Sequence, residues 1–480
     1  MARTSTNLRN SGWNLANILI YPAAFLAATP FFINSLGESV FGEWMLMNSY
    51  VFISVHLVGF GLSHSIIAHV SEAVGKNNRQ KLYAYINAAT RVLGIMMIVS
   101  AIAGLVLLMA PMHETGFFDE YTWNTITVAT FVISLKFPEL LLQNIYKGFE
   151  YYNKASLFNI INRLLSLGFH ILLVMKGYSI LAIFAANAGV SFIIVLVQAV
   201  LIYRSLPSFK LQLVKRFRER KELYHFGFWT WLQTIIAVTS YQMDRFLIAY
   251  FLGTATVAYY VLASTIANHL HMAFEAVVSW FLPKISRLKA AVRETSQHFH
   301  TIRAASVGFS LLLILGVYLI SEPLFTLWLG PEKFSKMIHF FELFMIFEAF
   351  MIMSIVPKLY LNAIRSLSFI TLLELMYKSG IIIGMIILFS IYNTAESLIW
   401  GQIIALICFM PLEYYFVNKR IIRGNTFRET ILNFLPPLMV MGAILSPGWQ
   451  MKALFIVFTV LLYWIIYIRD KNFKPKLLAE

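Results

Sequence analysis

Six basic side chains fall inside long apolar stretches of this chain: Arg91, Lys136, Arg163, Arg245, Lys358 and Lys378. The acids Glu139, Asp244, Glu275 and Glu374 and the histidines His56, His64, His69, His269 and His271 share those stretches. An ionisable group at membrane depth is costly, and as a rule it faces a wet cavity or a partner. Lys and Arg there can offset the charge of an anionic cargo, since they are the natural phosphate binders. Carboxylates and imidazoles can carry protons or hold a small cation.

Spacing sorts these residues. Lys136 and Glu139 stand at i, i+3 on one helical face, and Pro138 between them loosens the backbone. Two readings stay open: a mutually neutralised structural pair, or a cavity cation beside a coupling acid. Lys358 follows Pro357 and has no acid at helical spacing after it, with Glu348 almost three turns earlier, so it reads as an unpaired cavity cation. Asp244 and Arg245 adjoin, so they point about 100° apart; one can face a cavity and the other a neighbouring helix. Glu374 and Lys378, at i, i+4 with Glu first, suit a buried ion pair. Arg91 and Arg163 lie nearer the inner ends, where long side chains can snorkel. His271 and Glu275 share a face at i+4, suited to a proton relay or to hydrogen-bonded packing. His56, His64 and His69 are spaced at eight and five, which does not suit zinc, and no metal or cofactor is expected.

The elements that must position these groups follow from composition. Of 480 residues 59% are hydrophobic and 13% charged, with mean hydropathy +0.71. A soluble domain is about 25% charged, so too little polar surface remains for a water-facing globule. The expected class is an all-α polytopic membrane protein. Apolar runs of about 20 residues predict fourteen spans: 11–35, 42–69, 84–110, 123–146, 157–175, 179–202, 226–251, 256–282, 304–321, 339–360, 368–390, 397–417, 431–446 and 452–468. With the N-terminus inside, the inner segments hold 28 of the 38 Lys and Arg, the outer loops four, and six lie at depth. That bias places both termini in the cytoplasm. The net charge of +15 is therefore mainly a topology signal and does not point to nucleic acid. The run Lys215 to Lys221 suits a segment lying on anionic lipid. The lone Cys408 excludes a disulfide framework. No outer loop carries an ordered acid/base or metal constellation, which argues against an enzyme.

A repeat is present. Trp13 and Trp229 are 216 residues apart, as are Leu36-Gly37 and Leu252-Gly253. Pro138 and Pro357 fall in the fourth span of each half. The expected organisation is a six-helix half over 1–202, a basic cytoplasmic linker over 203–225, a second six-helix half over 226–420, and two extra helices with a cytoplasmic tail over 421–480. Two parallel repeats suit alternating access. No GxxxxGK[ST] phosphate loop is present, so energy must come from an ion, potential or substrate gradient.

The chain resembles the Wzx-type polysaccharide flippases of the MATE-like MOP superfamily. The resemblance rests on the Trp13 to Leu36-Gly37 span, on Asp244-Arg245-Phe246-Leu247-Ile248 running into Phe251-Leu252-Gly253, and on Ser321-Glu322-Pro323-Leu324-Phe325-Thr326-Leu327-Trp328-Leu329-Gly330. It implies a bacterial inner-membrane protein that moves an undecaprenyl-diphosphate-linked oligosaccharide, of O-antigen or capsule type, to the periplasmic leaflet. On that reading Lys136, Lys358, Lys378 and Arg245 attract the diphosphate. Asp244, Glu139, Glu275 and His271 couple movement to H+ or Na+. The resemblance also implies that Lys378 sits near the cavity and that Asp244–Arg245 has a structural or coupling role. The expected surroundings are membrane lipid, a monomeric state and contact with the polymerase of the same pathway. Three alternatives are an ion-coupled exporter of amphipathic molecules, a lipid II flippase and a membrane-embedded polymerase. At mid-depth the basic residues at least match the acids, which favours an anionic cargo. Spans one and two carry no Arg or Lys, unlike the pattern expected of a lipid II carrier.

Overall fold

The computed structural model describes residues 2–59, 61–109, 120–205, 217–279, 292–363, 367–417, 419 and 426–463. Among them the elements are helices and no strand occurs. In chain order they are α1 (Ala2–Leu36), α2 (Glu38–Val58), α3 (Leu62–Gly75), α4 (Arg79–Met109), α5 (Glu120–Gly148), α6 (Tyr152–Met175), α7 (Ile180–Ser205), α8 (Phe217–Leu252), α9 (Thr254–Ser279), α10 (Val292–Leu329), α11 (Pro331–Ala363), α12 (Leu367–Tyr392), α13 (Ala395–Val417), α14 (Thr426–Leu445) and α15 (Trp449–Tyr463). The protein is an all-α polytopic membrane protein.

Every expected span is met by a helix, but the second is broken. α2 and α3 meet at a 52° bend, where the sequence alone suggested one span over 42–69. Glycine is the reason: Gly61 takes a left-handed φ of 62° just before α3, a conformation with little steric cost only for glycine. Among the described residues nine helices are long and apolar enough to cross a membrane, and the bent pair makes ten. α14 and α15 add shorter apolar stretches, Phe434–Leu445 and Trp449–Leu461. The seventh and eighth expected spans, α8 and α9, are helical but fall outside those ten. They carry Gln242, Asp244 and Arg245, and Asn268, His269, His271 and Glu275.

The described chain divides into two compact units, Met1–Gln242 and Met243–Glu480, with the division inside α8. Each has one central helix. In unit 1, α5 packs against α2, α3, α4, α6 and α7. In unit 2, α11 packs against α9, α10, α12, α13 and α14, and nearly every residue from Phe340 to Pro357 is buried. These are the two fourth spans that carry Pro138 and Pro357, each prolyl ring lying next to or near a lysine. Lipid is as apolar as leucine, so tight packing rather than water exclusion holds such helices together. α11 supplies that packing with Phe340, Phe341, Phe344, Phe347 and Phe350, all buried. α12 and α13 instead cross at glycines. A Cβ on Gly401 would fall 2.5 Å from the backbone of Gly384 and Met385, so only paired glycines permit the approach.

The repeated Leu-Gly pair is a repeated turn. Gly37 has φ 83° and Gly253 φ 86°, and each N–H bonds four residues back, to Ile33 and Ala249, at 3.0 and 3.2 Å. Leu329-Gly330 makes the same turn between α10 and α11, with φ 84° and an N–H bond to Thr326 at 3.0 Å. At Gly37 ψ is 160°, in a region open essentially only to glycine.

Candidate functional site

Unit 1 holds a cavity of about 610 Å³ walled by α1, α2, α5, α6 and α7. Lys136 and Glu139 line it from the central helix. Lys136 Nζ donates to Glu139 Oε2 at 2.8 Å, on the i, i+3 spacing read from the sequence. Glu139 is almost fully buried, and its other oxygen accepts from Asn162 Nδ2 at 3.0 Å and Gln143 Nε2 at 3.2 Å. Lys136 keeps 27% of its side chain exposed and reaches Ser191 Oγ at 3.4 Å. The pair is thus both neutralised and in contact with the cavity, so the two sequence readings of it are compatible.

α6 contributes a polar stripe of which the sequence reading singled out only Arg163: Asn159, Asn162, Arg163, Ser166 and His170 all line the cavity. Steps of three and four residues put them on one helical face, and that spacing was the available signal. Arg163, read as a snorkelling side chain, lies over the Tyr21 ring with 5.3 Å to its centroid. Asn159 Nδ2 donates to Asn17 Oδ1 at 2.8 Å. His170 is buried edge-on to Trp44 at 5.4 Å, and its Nε2 has no hydrogen-bond partner. Trp44, Phe25, Tyr21, Phe52 and Phe184 supply aromatic faces beside the amides of Asn48, Asn159 and Asn187. Among the described lining residues the one carboxylate is matched by Lys136, which leaves Arg163 as the net charge. Such a surface can hold a polyhydroxylated, anionic ligand.

Unit 2 gathers the other candidates into two polar clusters. In the first, Tyr260 Oη donates to Asp244 Oδ2 at 2.5 Å and the Arg245 backbone N–H to Oδ1 at 2.8 Å. Gln402 Nε2 donates to Tyr260 Oη at 3.0 Å, so α8, α9 and α13 share one buried carboxylate. Asp244 is buried and Arg245 half-buried, as their 100° separation allows. In the second, Lys358 and Lys378 converge on one ring, with Nζ 5.9 and 5.1 Å from the Tyr377 centroid. Lys358, Glu374 and Tyr377 line a small cavity together with Ser354 and Glu413. His271 bonds Glu348 on α11 at 2.9 Å, while Glu275, the partner suggested by i+4 spacing, is exposed. His56, His69 and His269 bond the carbonyl four residues back, at 2.8, 2.8 and 2.6 Å, which is helix packing. Glu413, Gln402 and Tyr260 were not singled out from sequence, because nothing along α9 or α13 marks which side chains meet α8 or α11.

This fold is that of the MOP-superfamily transporters. A lipid II flippase, MurJ, in an inward closed conformation superposes with a TM-score of 0.68 over 96% of this chain and 98% of that one, at 15% identity. An inward-facing multidrug resistance MATE family transporter gives 0.60 over 86% and 98%, at 13% identity. A MOP superfamily transporter from Pyrococcus furiosus gives 0.54 over 88% and 96%, at 14% identity. No curated protein sequence matches the chain. The chain belongs to the polysaccharide biosynthesis protein family, whose profile matches residues 8–289, more than half its length. That family agrees with the resemblance carried by the Leu-Gly spans and the Asp244 segment.

Proposed function

We propose that this protein is a flippase that carries undecaprenyl-diphosphate-linked oligosaccharide repeat units from the cytoplasmic to the periplasmic leaflet by alternating access. The observation that carries the reading is the unit 1 cavity. It joins Lys136 and Arg163 to a wall of amides and aromatic rings, and those groups suit a diphosphate and sugar hydroxyls in turn. Lys358, Lys378 and Arg245 act as further cations along the route of the diphosphate. Asp244, Glu139, Glu275 and His271 are the coupling groups for H+ or Na+. The protein sits in a bacterial inner membrane with both termini cytoplasmic, in the four-part organisation expected from the sequence.

The test replaces Lys136, Lys358 and Lys378 singly by Ala in a strain lacking its own flippase. Loss of surface polysaccharide is expected for each. Normal polysaccharide with all three refutes the cationic route. A lipid II cargo is the second reading, motivated by the shared fold of a lipid II flippase. It predicts rescue of a strain depleted of that activity, and the flippase of glycan repeats predicts none.

A further inference from the structure

Glu413 is a buried carboxylate with half its hydrogen bonding unmet. It lies on α13 at 8% exposure. Ser354 Oγ donates to Oε2 at 2.7 Å, and Oε1 is buried with no partner. The cavity it lines measures about 30 Å³, more than the roughly 10–15 Å³ that a single water needs. Ser354, Lys358, Glu374 and Tyr377 line the same space, and the remaining walls are apolar. An ionised carboxylate left with one oxygen bare in such a place is costly; taking up a proton removes the charge and turns that oxygen into a donor.

We propose that Glu413 is a proton-binding site, with one water in the cavity as its proton donor and acceptor. Oε1 forms the new O–H bond, the water gives up a proton and regains one from the solvent side, and no electrons are exchanged. A sodium ion fits the site less well. It would need five or six oxygens, Lys358 would repel it, and the Tyr377 hydroxyl is already directed to Met351 Sδ at 3.1 Å.

Among the described residues the charged and titratable groups around Glu413 are few. α11 supplies Lys358 and, further along, Glu348 with its partner His271; α12 supplies Glu374, Tyr377 and Lys378. The described side chains of α14, Phe434–Leu445, supply none. Ionised Glu413 serves as a counter-charge to Lys358, and protonated Glu413 leaves Lys358 free for an anion. That consequence rests on the flippase reading; the proton site itself does not.

The experiment is infrared difference spectroscopy of the purified full-length protein titrated with acid and base. A protonated-carboxyl carbonyl band that titrates in the wild type is expected to vanish in Glu413→Gln and persist in Glu139→Gln. Glu413→Asp is expected to restore a shifted band. A band unchanged in Glu413→Gln, or no titrating carboxyl band in the wild type, overturns the proposal. Size-exclusion profiles confirm that each variant is folded. Complementation is scored separately, so a failed flippase reading leaves this result standing.

Discussion

The Lys136–Glu139 pair permits a separation of structural from transport roles. Lys136→Met removes the 2.8 Å ammonium partner of Glu139, whose side chain is only 8% exposed. Breaking a buried pair from one side costs about 3–5 kcal/mol, because the remaining charge is uncompensated. Glu139 retains the amide donors Asn162 and Gln143, so the low end, about 3 kcal/mol, applies. Glu139→Gln should cost less, about 1–2 kcal/mol, since Lys136 is half-exposed and keeps Ser191. The double variant has no orphaned charge and should recover most of the loss, a coupling of about 2 kcal/mol. Stability is read by thermal or denaturant unfolding of purified protein, and transport by surface polysaccharide in the flippase-deficient strain. Recovery of stability without recovery of polysaccharide is the expected result. If the double variant restores both, Lys136 acts only as a structural counter-ion and its role toward the cargo is refuted. If Lys136→Met alone shifts stability by under about 0.5 kcal/mol, the pair is not effectively buried and the reasoning fails at its first step.

Other outcomes follow from single features. Gly37→Ala forces a Cβ into φ 83°, ψ 160° and should destabilise by roughly 1–3 kcal/mol, visible as a lower melting temperature. Gly401→Ala should be worse tolerated than Gly94→Ala, because a Cβ at 401 meets backbone at 2.5 Å and one at 94 meets open space; relative yield of folded protein checks this. Arg163→Ala should reduce surface polysaccharide with little change in melting temperature, since the side chain is exposed and held by a Tyr21 ring contact rather than an ion pair; an unchanged polysaccharide level would restore its reading as a snorkelling residue. Tyr260→Phe removes a donor to buried Asp244 and should destabilise by about 1.5–3 kcal/mol, with Gln402→Leu milder because it contacts the carboxylate only through Tyr260.

Much of the fold follows from one-dimensional signals. A span is a run of apolar residues as long as the bilayer is thick, so each of the fourteen expected segments is helical over nearly all its described residues, the second as a bent pair. The bend between α2 and α3 escaped that reading because apolarity continues across Gly59–Gly61; only backbone conformation reveals the break. The Leu-Gly turns were visible because glycine's freedom at positive φ is a local property, and the two equivalent pairs keep the same conformation 216 residues apart.

The sites were visible only where both partners share one helix. Lys136 and Glu139 lie three residues apart, so helical geometry alone makes them neighbours. The α6 stripe through Asn159, Asn162, Arg163, Ser166 and His170 obeys the same rule and could have been read. His271 is the counterexample: spacing suggested Glu275, and the tertiary structure chose Glu348, 77 positions away on α11. Asp244 with Tyr260 and Gln402, and Glu413 with Ser354, are of the same kind. The periodicity of a helix determines which of its residues share a face. Which other helix that face meets, and at what height along the membrane normal, depends on packing among many helices at once, and that was decided only by the tertiary structure.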